Sequence, residues 1–202
     1  MKWLFASLLL LLQAPTYPPP YPRPGVTKLI DNDRVLVWDV SWPKGDTAPP
    51  MHRHPFDMTG IYYWPGDRNI TSLNGMKRTV STKAGQIQWL LKGTAHIEEG
   101  ASEDPLRAVM IELKGDGPWG HATESSDAPA FTSSSLLLDN NRVTATAYSR
   151  PSSVSVRHYH RLDTVVVFTK DHASRAIFVP AGKAHDDESM ASEDTVTVFE
   201  FK

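Results

Sequence analysis

Two histidine pairs with identical spacing are the strongest chemical signal in this 202-residue sequence. In a β-strand, residues i and i+2 project from the same face, so the two members of each pair point in one direction. A divalent metal needs nitrogen lone pairs that converge at about 2.0–2.1 Å, and such a pair supplies two of them. A third histidine follows a glycine-containing turn later in each half. The two candidate triads are His52, His54 and His96, and His158, His160 and His185.

The chain contains no cysteine, which excludes disulfides and thiolate ligands. Any metal must therefore be held by imidazole and carboxylate groups. These donors suit several divalent transition metals, so iron, zinc, manganese, nickel and copper are all candidates. With open coordination positions, three neutral histidines can support Lewis-acid chemistry or the chemistry of dioxygen.

Short apolar runs separated by turn residues dominate the chain after Val26. The Asn74-Gly75 pair is typical of a β-hairpin turn, because both central positions need positive φ. No segment shows a sustained 3.6-residue period. The pattern therefore predicts an all-β protein. The apolar runs behind this prediction are 35–38, 61–64, 87–91 and 109–111.

Four sequence segments occur twice in the same order, which indicates an internal duplication. The matched pairs are LIDNDRV 29–35 with LLDNNRV 137–143, HRHPFD 52–57 with HYHRLD 158–163, KGTAH 92–96 with AGKAH 181–185, and VMIELK 109–114 with TVFEFK 197–202. We predict a first unit over 26–114, a linker over 115–135 and a second unit over 136–202. Between its second and third histidines, the second unit has room for one strand–turn–strand excursion where the first has room for two. Its barrel should therefore be smaller.

These spacings resemble the two motifs of the cupin superfamily, G-(x)5-H-x-H-(x)3,4-E-(x)6-G and G-(x)5-P-x-G-(x)2-H-(x)3-N. The second motif matches in both units, through Gly85, Gly93 and His96 and through Pro180, Gly182 and His185. The resemblance implies two tandem jelly-roll type β-barrels, the second one shortened, each with a three-histidine metal site. Three-histidine cupins often oxidise small molecules, so the resemblance also implies a dioxygenase-like activity.

The glutamate ligand of the first cupin motif is missing. Counting back from Gly66 places it at Thr59, and the equivalent residue of the second unit is Val165. Each unit instead has an aspartate three residues after the second histidine, Asp57 and Asp163, a pattern similar to that of small bacterial cupins. Strand alternation points this aspartate away from the histidines, whereas a bulge would return it as an accessory ligand. We favour a structural aspartate that accepts backbone hydrogen bonds.

Candidate pocket residues of the first unit are Thr59, Tyr63 and Trp89. For the two aromatic side chains, packing in the core is the favoured interpretation. Glu98 and Glu99 follow the third histidine and are candidates for proton transfer or for a hydrogen-bonding partner of a metal ligand. Because consecutive strand residues face opposite sides, at most one can point inward. A solvated pair is the favoured interpretation.

Residues 1–14 have a positive start, a short apolar core and a small residue at the end, which is typical of a cleaved secretory signal peptide. The Pro-rich segment 15–25 favours an extended arm on the surface. We therefore expect a secreted or periplasmic protein with no membrane span after cleavage near Ala14. The net charge is −2 and the pI about 6.4. No basic stripe stands out, so nucleic acid is not an expected partner.

Two classes of function follow from these features. The leading hypothesis is a metal-dependent enzyme with dioxygenase-like or Lewis-acid chemistry on a small organic molecule, with its working metal in the first unit. The alternative is a non-catalytic cupin that binds a small ligand, binds metal or serves a structural role. A homo-oligomer is compatible with either class. A pocket beside His96 favours the enzyme. An interior filled by Met58, Tyr63 and Trp89 favours the alternative.

Overall fold

The computed structural model describes residues 16–47, 49–115, 117, 119–122, 133–149, 157–185 and 195–202. Every regular element in these ranges is a β-strand, which confirms the predicted all-β fold class. The same ranges contain no helix of the length and apolarity that a bilayer crossing requires. The predicted signal peptide at 1–14 lies outside the described residues.

Nine strands form the first unit over its described residues. They are β1 (Val26–Asp31), β2 (Val35–Trp42), β3 (His52–Arg53), β4 (Asp57–Trp64), β5 (Gly66–Ser72), β6 (Lys77–Thr82), β7 (Ile87–Leu90), β8 (Ala95–Gly100) and β9 (Leu106–Leu113). They divide into an antiparallel five-stranded sheet of order β1-β2-β9-β4-β7 and an antiparallel four-stranded sheet of order β3-β8-β5-β6. The second sheet carries His52 and His96.

The two sheets of the first unit face each other around a buried interior. Strand alternation sends one set of side chains from the five-stranded sheet inward. The apolar members of this set form a single buried cluster, comprising Trp38, Val40, Trp42, Met58, Tyr62, Leu106, Ala108 and Met110. The four-stranded sheet, by contrast, turns mostly polar side chains toward this interior, and the metal-binding candidates are among them.

Seven strands form the part of the second unit that the structure describes. They are β10 (Ser133–Asp139), β11 (Val143–Ser149), β12 (His158–Tyr159), β13 (Thr164–Lys170), β14 (Ala173–Val179), β15 (Ala184–His185) and β16 (Thr195–Phe201). The five-stranded sheet recurs with the order β10-β11-β16-β13-β14, but in the described part of the unit the other sheet consists of β12 and β15. Among the described residues, the second unit has no counterpart of the β5–β6 hairpin. This confirms the prediction of a shortened second barrel.

The outer faces of the two five-stranded sheets pack against each other and join the units. Their common core includes Val35, Val37, Ile61, Val109, Ile111, Val143, Ala145, Val165, Val167, Phe199 and Phe201. Each fully buried side chain of this size contributes roughly 1.5–3 kcal/mol, so the interface stabilises both units. Trp119 is also buried here, and its ring stacks on Phe201 at 4.8 Å. This part of the predicted linker therefore packs against the fold.

Tyr21 anchors the Pro-rich arm inside the first unit. Its side chain is only 6% exposed, and its ring centroid lies 5.4 Å from that of Trp38. Nearby, the carbonyl oxygen of Pro18 accepts a hydrogen bond from the N–H of Arg53 at 2.9 Å. The prediction of an arm lying on the surface is wrong for Tyr21. Burial of its aromatic ring favours insertion, and the proline content alone does not reveal this.

Candidate metal centre

Strands β3 and β8 bring the first histidine triad together. His52 and His96 are direct cross-strand partners, and paired residues face the same side of a sheet. His54 follows β3. Its N–H donates a hydrogen bond to the carbonyl oxygen of Thr94 at 2.9 Å, and its carbonyl oxygen accepts one from the N–H of Gly93 at 2.9 Å. The φ of Gly93 is +86°, which only glycine adopts freely and which permits the tight turn before His96.

The three imidazole rings converge in a buried space. Their ring centroids are 4.7–5.3 Å apart, and one nitrogen from each ring lies within 4.8 Å of the other two. The Nε2 atoms of His54 and His96 are 3.2 Å apart. Two nitrogens that bind one ion at about 2.1 Å each lie roughly 3.0–3.4 Å apart. The observed separation therefore fits a shared metal ion.

A backbone carbonyl fixes the tautomer of His52. Its Nδ1 donates a hydrogen bond to the carbonyl oxygen of Pro50 at 3.2 Å, so the Nε2 lone pair stays available for a metal. Among the described residues, this Nε2 atom is buried and has no hydrogen-bond partner. A buried polar atom without a partner is destabilising. Coordination of a metal would satisfy it.

Burial keeps the three histidines neutral near pH 7. It lowers the pKa of His52 to about 4, and it acts together with the neighbouring His96 to lower the pKa of His54 to about 3. The pKa of His96 is also lowered by burial, against the opposing effect of Glu98. Neutral imidazole is the form that binds metals. The triad is therefore a ready set of nitrogen ligands.

Glu98 lies two residues beyond His96 on β8 and projects from the same face. One carboxylate oxygen lies 2.8 Å from Nη1 of Arg68 and 3.8 Å from Nε2 of His96. The other oxygen accepts a hydrogen bond from the indole of Trp42 at 3.0 Å. Glu98 is 6% exposed and Arg68 4%. The expectation of a solvated glutamate pair is wrong for Glu98, because Arg68 on β5 compensates its buried charge.

Glu98 remains ionised in this position. Burial opposes its charge, but Arg68, followed by His96, favours the carboxylate and holds the pKa of Glu98 below its usual range. Burial likewise opposes the charge of Arg68, and Glu98 outweighs it and raises the pKa of that guanidinium. Glu99 faces the other side of the sheet and pairs with Lys77 at 2.6 Å. The first site thus combines neutral imidazoles with one buried carboxylate.

A cavity of about 480 Å³ adjoins the first triad. This volume lies in the range of small-molecule sites, about 300–1,000 Å³. Both His96 and Glu98 line it. The other lining residues come from β5 to β8 and the segments between them, and they are Arg68, Ile70, Ser72, Met76, Arg78, Val80, Gln86, Gln88, Leu90, Thr94 and Ala95. The interior of the first unit is therefore not filled by side chains beside His96.

The predicted pocket residues Thr59, Tyr63 and Trp89 do not line this cavity. Tyr63 and Trp89 pack in the core between the units, as favoured for the aromatic residues. Thr59 is the cross-strand partner of Trp89, and its hydroxyl donates to the carbonyl oxygen of Gln88 at 3.0 Å. Their assignment to the pocket of the first site is wrong, because alternation turns all three away from the interior of the unit.

Neither a protein-family model nor a curated protein sequence matches the chain, but solved structures do. AerE from Microcystis aeruginosa aligns with a TM-score of 0.57 over 92% of this chain and 98% of its own, at 11% identity. A tryptophan-to-tyrosine variant of oxalate decarboxylase from Bacillus subtilis aligns with a TM-score of 0.54 over 85% of this chain and 69% of its own, at 10% identity. The chain has the cupin fold. A cupin domain from Bordetella pertussis is 28% identical, covering 47% of this chain and 99% of its own, with a TM-score of 0.42. The alignments with AerE and oxalate decarboxylase support the fold and give no information on the reaction.

In this cupin fold, Met58 occupies the place of the motif glutamate. The motif allows three or four residues after the second histidine, and the two choices point to opposite faces of β4. Met58 is 2% exposed in the interior cluster, whereas Thr59 faces outward, so the assignment to Thr59 is corrected. The second unit repeats the arrangement, with Thr164 facing inward and Val165 in the core between the units. Neither inward residue supplies a carboxylate.

Both aspartates of the H-x-H-x-x-D pattern bond backbone amides. Asp57 accepts a hydrogen bond from the N–H of Lys92 at 2.8 Å. Asp163 accepts one from Ala181 at 3.0 Å and one from Gly120 at 2.7 Å. Lys92 and Ala181 are equivalent in the repeat, and each begins the turn that leads to a third histidine. The aspartates hold these turns and lie outside both candidate ligand groups.

The second triad has the same strand register as the first, but its side chains are less buried. His158 and His185 are cross-strand partners, and the three ring centroids lie 4.2–5.2 Å apart. His158 is buried, while His160 and His185 are only half-buried. Glu200 has a carboxylate oxygen 3.8 Å from Nδ1 of His160. Because the β5–β6 hairpin has no counterpart among the described residues of this unit, the wall that shapes the first cavity is missing.

Glu112 is a buried carboxyl that the sequence analysis did not single out. It is 3% exposed and accepts a hydrogen bond from the indole of Trp38 at 3.3 Å. Burial raises its pKa to about 7. A signal was present in the sequence, since a glutamate interrupts the apolar segment VMIELK and recurs as Glu200 in TVFEFK. A repeated acid in an apolar strand indicates an inward-facing carboxyl.

Proposed function

We propose that this cupin is a secreted or periplasmic metal-dependent enzyme that acts on a small organic molecule at its first site. The supporting observation is the position of His96, which belongs to the candidate ligand triad and also lines the cavity of about 480 Å³. A molecule in that cavity therefore lies next to the metal ligands. The localisation part of the proposal rests on the signal-peptide pattern of residues 1–14.

The residues around the cavity have separate roles in this proposal. His52, His54 and His96 hold a divalent transition metal, which supplies Lewis-acid chemistry or, if it is redox-active, electron-transfer chemistry. Glu98 places a fixed negative charge beside the ligands, and its pairing with Arg68 keeps it in one orientation. The apolar side chains of the lining, Ile70, Val80 and Leu90 among them, offer surface against which an organic molecule can pack.

The second triad supports a different role, non-catalytic metal binding. Its histidines are less buried, and the described part of its unit has no counterpart of the hairpin that forms the cavity wall in the first unit. A metal there would stabilise the short β12–β15 pair. This candidate function applies to the second site alone and is compatible with an active first site.

Substrate turnover by the metal-loaded protein tests the proposal. A panel of small organic molecules is incubated with and without dioxygen, and substrate loss is followed by mass spectrometry. We expect His96→Ala to abolish metal binding at the first site and any turnover, while the matched change His185→Ala leaves turnover intact. Equal metal content and equal turnover in wild type and His96→Ala would refute the proposal.

A further inference from the structure

The cavity beside the first triad has an uneven distribution of charge. Among its lining residues, Glu98 is the one acid, and it is already paired with Arg68. Arg78 is a second lining arginine. Within the described part of the chain, the Arg78 guanidinium has no carboxylate within ion-pair distance and no hydrogen bond. The cavity therefore holds one unneutralised cation before any metal is added.

Strand register places Arg78 opposite the metal-binding edge of the cavity. Arg78 pairs with Ile70 across β5 and β6, and Ile70 pairs with Glu98 across β5 and β8. Paired residues share a face, so all three side chains project into the same cavity. Two strand spacings of about 4.8 Å separate Arg78 from Glu98. Ser72, the neighbour of Ile70 on that face, pairs with His96 in the same way.

The remaining lining is mixed, with Ile70, Met76, Val80, Leu90 and Ala95 apolar and Ser72, Gln86, Gln88 and Thr94 polar. Ile70, Val80 and Leu90 supply apolar surface between Arg78 and the triad. Arg78 itself is exposed, and Met76 beside it is 64% exposed. A ligand entering from this side meets a guanidinium first and an apolar wall next. It then reaches His96 and Glu98.

We infer that the cavity is a binding site for a small organic carboxylate, with Arg78 as the residue that recognises the anionic group. This inference rests on the proposed function and names its substrate class. A guanidinium matches a carboxylate with two parallel hydrogen bonds, and the apolar wall fits an organic body. An amine is disfavoured, because Arg78 and a divalent metal would both repel it. The described residues of the second unit include no counterpart of the β5–β6 hairpin, so this recognition belongs to the first unit alone.

Binding of matched carboxylates and amides tests this inference. The probes are benzoate with benzamide and hexanoate with hexanamide, and calorimetry measures their dissociation constants on natively purified protein. We expect each carboxylate to bind at least tenfold more tightly than its amide. Arg78→Gln should weaken carboxylate binding roughly 10- to 100-fold, the loss of one charge-assisted hydrogen-bonded contact, and leave amide binding unchanged.

Lys77→Gln is the matched control, because Lys77 is adjacent in the chain but points to the opposite face, where it pairs with Glu99. This variant should bind all four probes like the wild type. The inference is overturned if neither carboxylate binds, if the amides bind equally well, or if Arg78→Gln has no effect. Elemental analysis of the same samples keeps the two proposals apart. Metal without carboxylate selectivity contradicts only the inference, whereas selectivity without metal contradicts the proposed function.

Discussion

Arg142 of the second unit lies 3.7 Å from the carboxylate of Asp57 in the first unit. The duplication repeats this contact in the opposite direction, since Arg34 of the first unit lies 3.9 Å from Asp163 of the second. The two arginines occupy the same position of the repeated segment that ends in Arg-Val. Each aspartate also holds the turn before a third histidine. Through its arginine, each unit therefore contacts the aspartate that holds the ligand-bearing turn of the other unit.

Removal of these aspartates should lower stability without removing metal. Asp57→Ala deprives the Lys92 amide of its acceptor, and we expect a loss of roughly 1–2 kcal/mol in the free energy of unfolding. Asp163→Ala should cost more, because Asp163 is 4% exposed and accepts from two amides. Urea denaturation and elemental analysis provide the measurements. Asp33→Ala, in an exposed loop, is the control.

The metal content of Asp57→Ala separates the two roles considered for this residue. A structural aspartate leaves the metal stoichiometry of the first site unchanged. If Asp57→Ala loses the metal while the fold persists, Asp57 is an accessory ligand, and the structural interpretation is wrong.

Substitution of Glu98 should lower the free energy of unfolding, because it leaves a buried charge without its partner. Glu98→Gln leaves the Arg68 guanidinium buried without its partner, and such a change costs about 3–5 kcal/mol. The double change Glu98→Gln with Arg68→Met should recover most of this loss, because it removes both charges. Glu99→Gln on the outer face is the matched control and should change the unfolding free energy little. A double variant as unstable as Glu98→Gln alone would contradict the compensation of Glu98 by Arg68.

Glu112 should make stability depend on pH in a defined direction. Burial raises its pKa to about 7, above the value near 4.3 in an unfolded chain. Its stabilising contribution is therefore fully present below about pH 4.3 and is lost as the pH rises through 7. Glu112→Gln keeps an acceptor for Trp38 and removes the ionisation. Relative to wild type, this variant should gain about 3 kcal/mol between pH 4 and pH 9. If the difference in unfolding free energy between Glu112→Gln and wild type stays constant from pH 4 to pH 9, the pKa of Glu112 is not raised by folding.

Tyr21 should contribute to folding although it lies in a Pro-rich arm. Truncation of a buried aromatic side chain costs about 3–5 kcal/mol, so we expect Tyr21→Ala to destabilise the first unit by this order. Tyr17→Ala is the matched control. Tyr17 is only half-buried, and the Cζ atom of Arg53 lies 5.5 Å from the centroid of its ring. Thermal unfolding of both variants provides the comparison. Equal effects of the two changes would contradict the anchoring role of Tyr21.

The histidine triads were predictable because their geometry depends on short-range rules. The spacing of His52 and His54 and the period-2 alternation of strands place both side chains on one face, and the glycine turn brings His96 beside them. The duplication then gave the second triad by equivalence. The shortened second barrel followed from chain length between histidines, which limits the number of strands that can form.

Other features depended on information that a local pattern does not contain. The motif allows three or four residues before its glutamate, so its position falls on either Met58 or Thr59. These neighbours point to opposite faces of the strand. The burial of Glu98 depends on Arg68, which reaches it from another strand. Tyr21 is buried because the interior beside Trp38 has room for a ring, and that space appears only when the sheets assemble.

Elemental analysis of natively purified protein and of single-histidine variants tests the central claim, that the first triad is a metal centre, most directly. We predict that the wild type carries a divalent transition metal, that His54→Ala loses the metal of the first site, and that His160→Ala retains it. His121→Ala, an exposed residue outside both triads, should match the wild type. A wild type without stoichiometric metal, or a His54→Ala variant with unchanged metal content, would contradict the account.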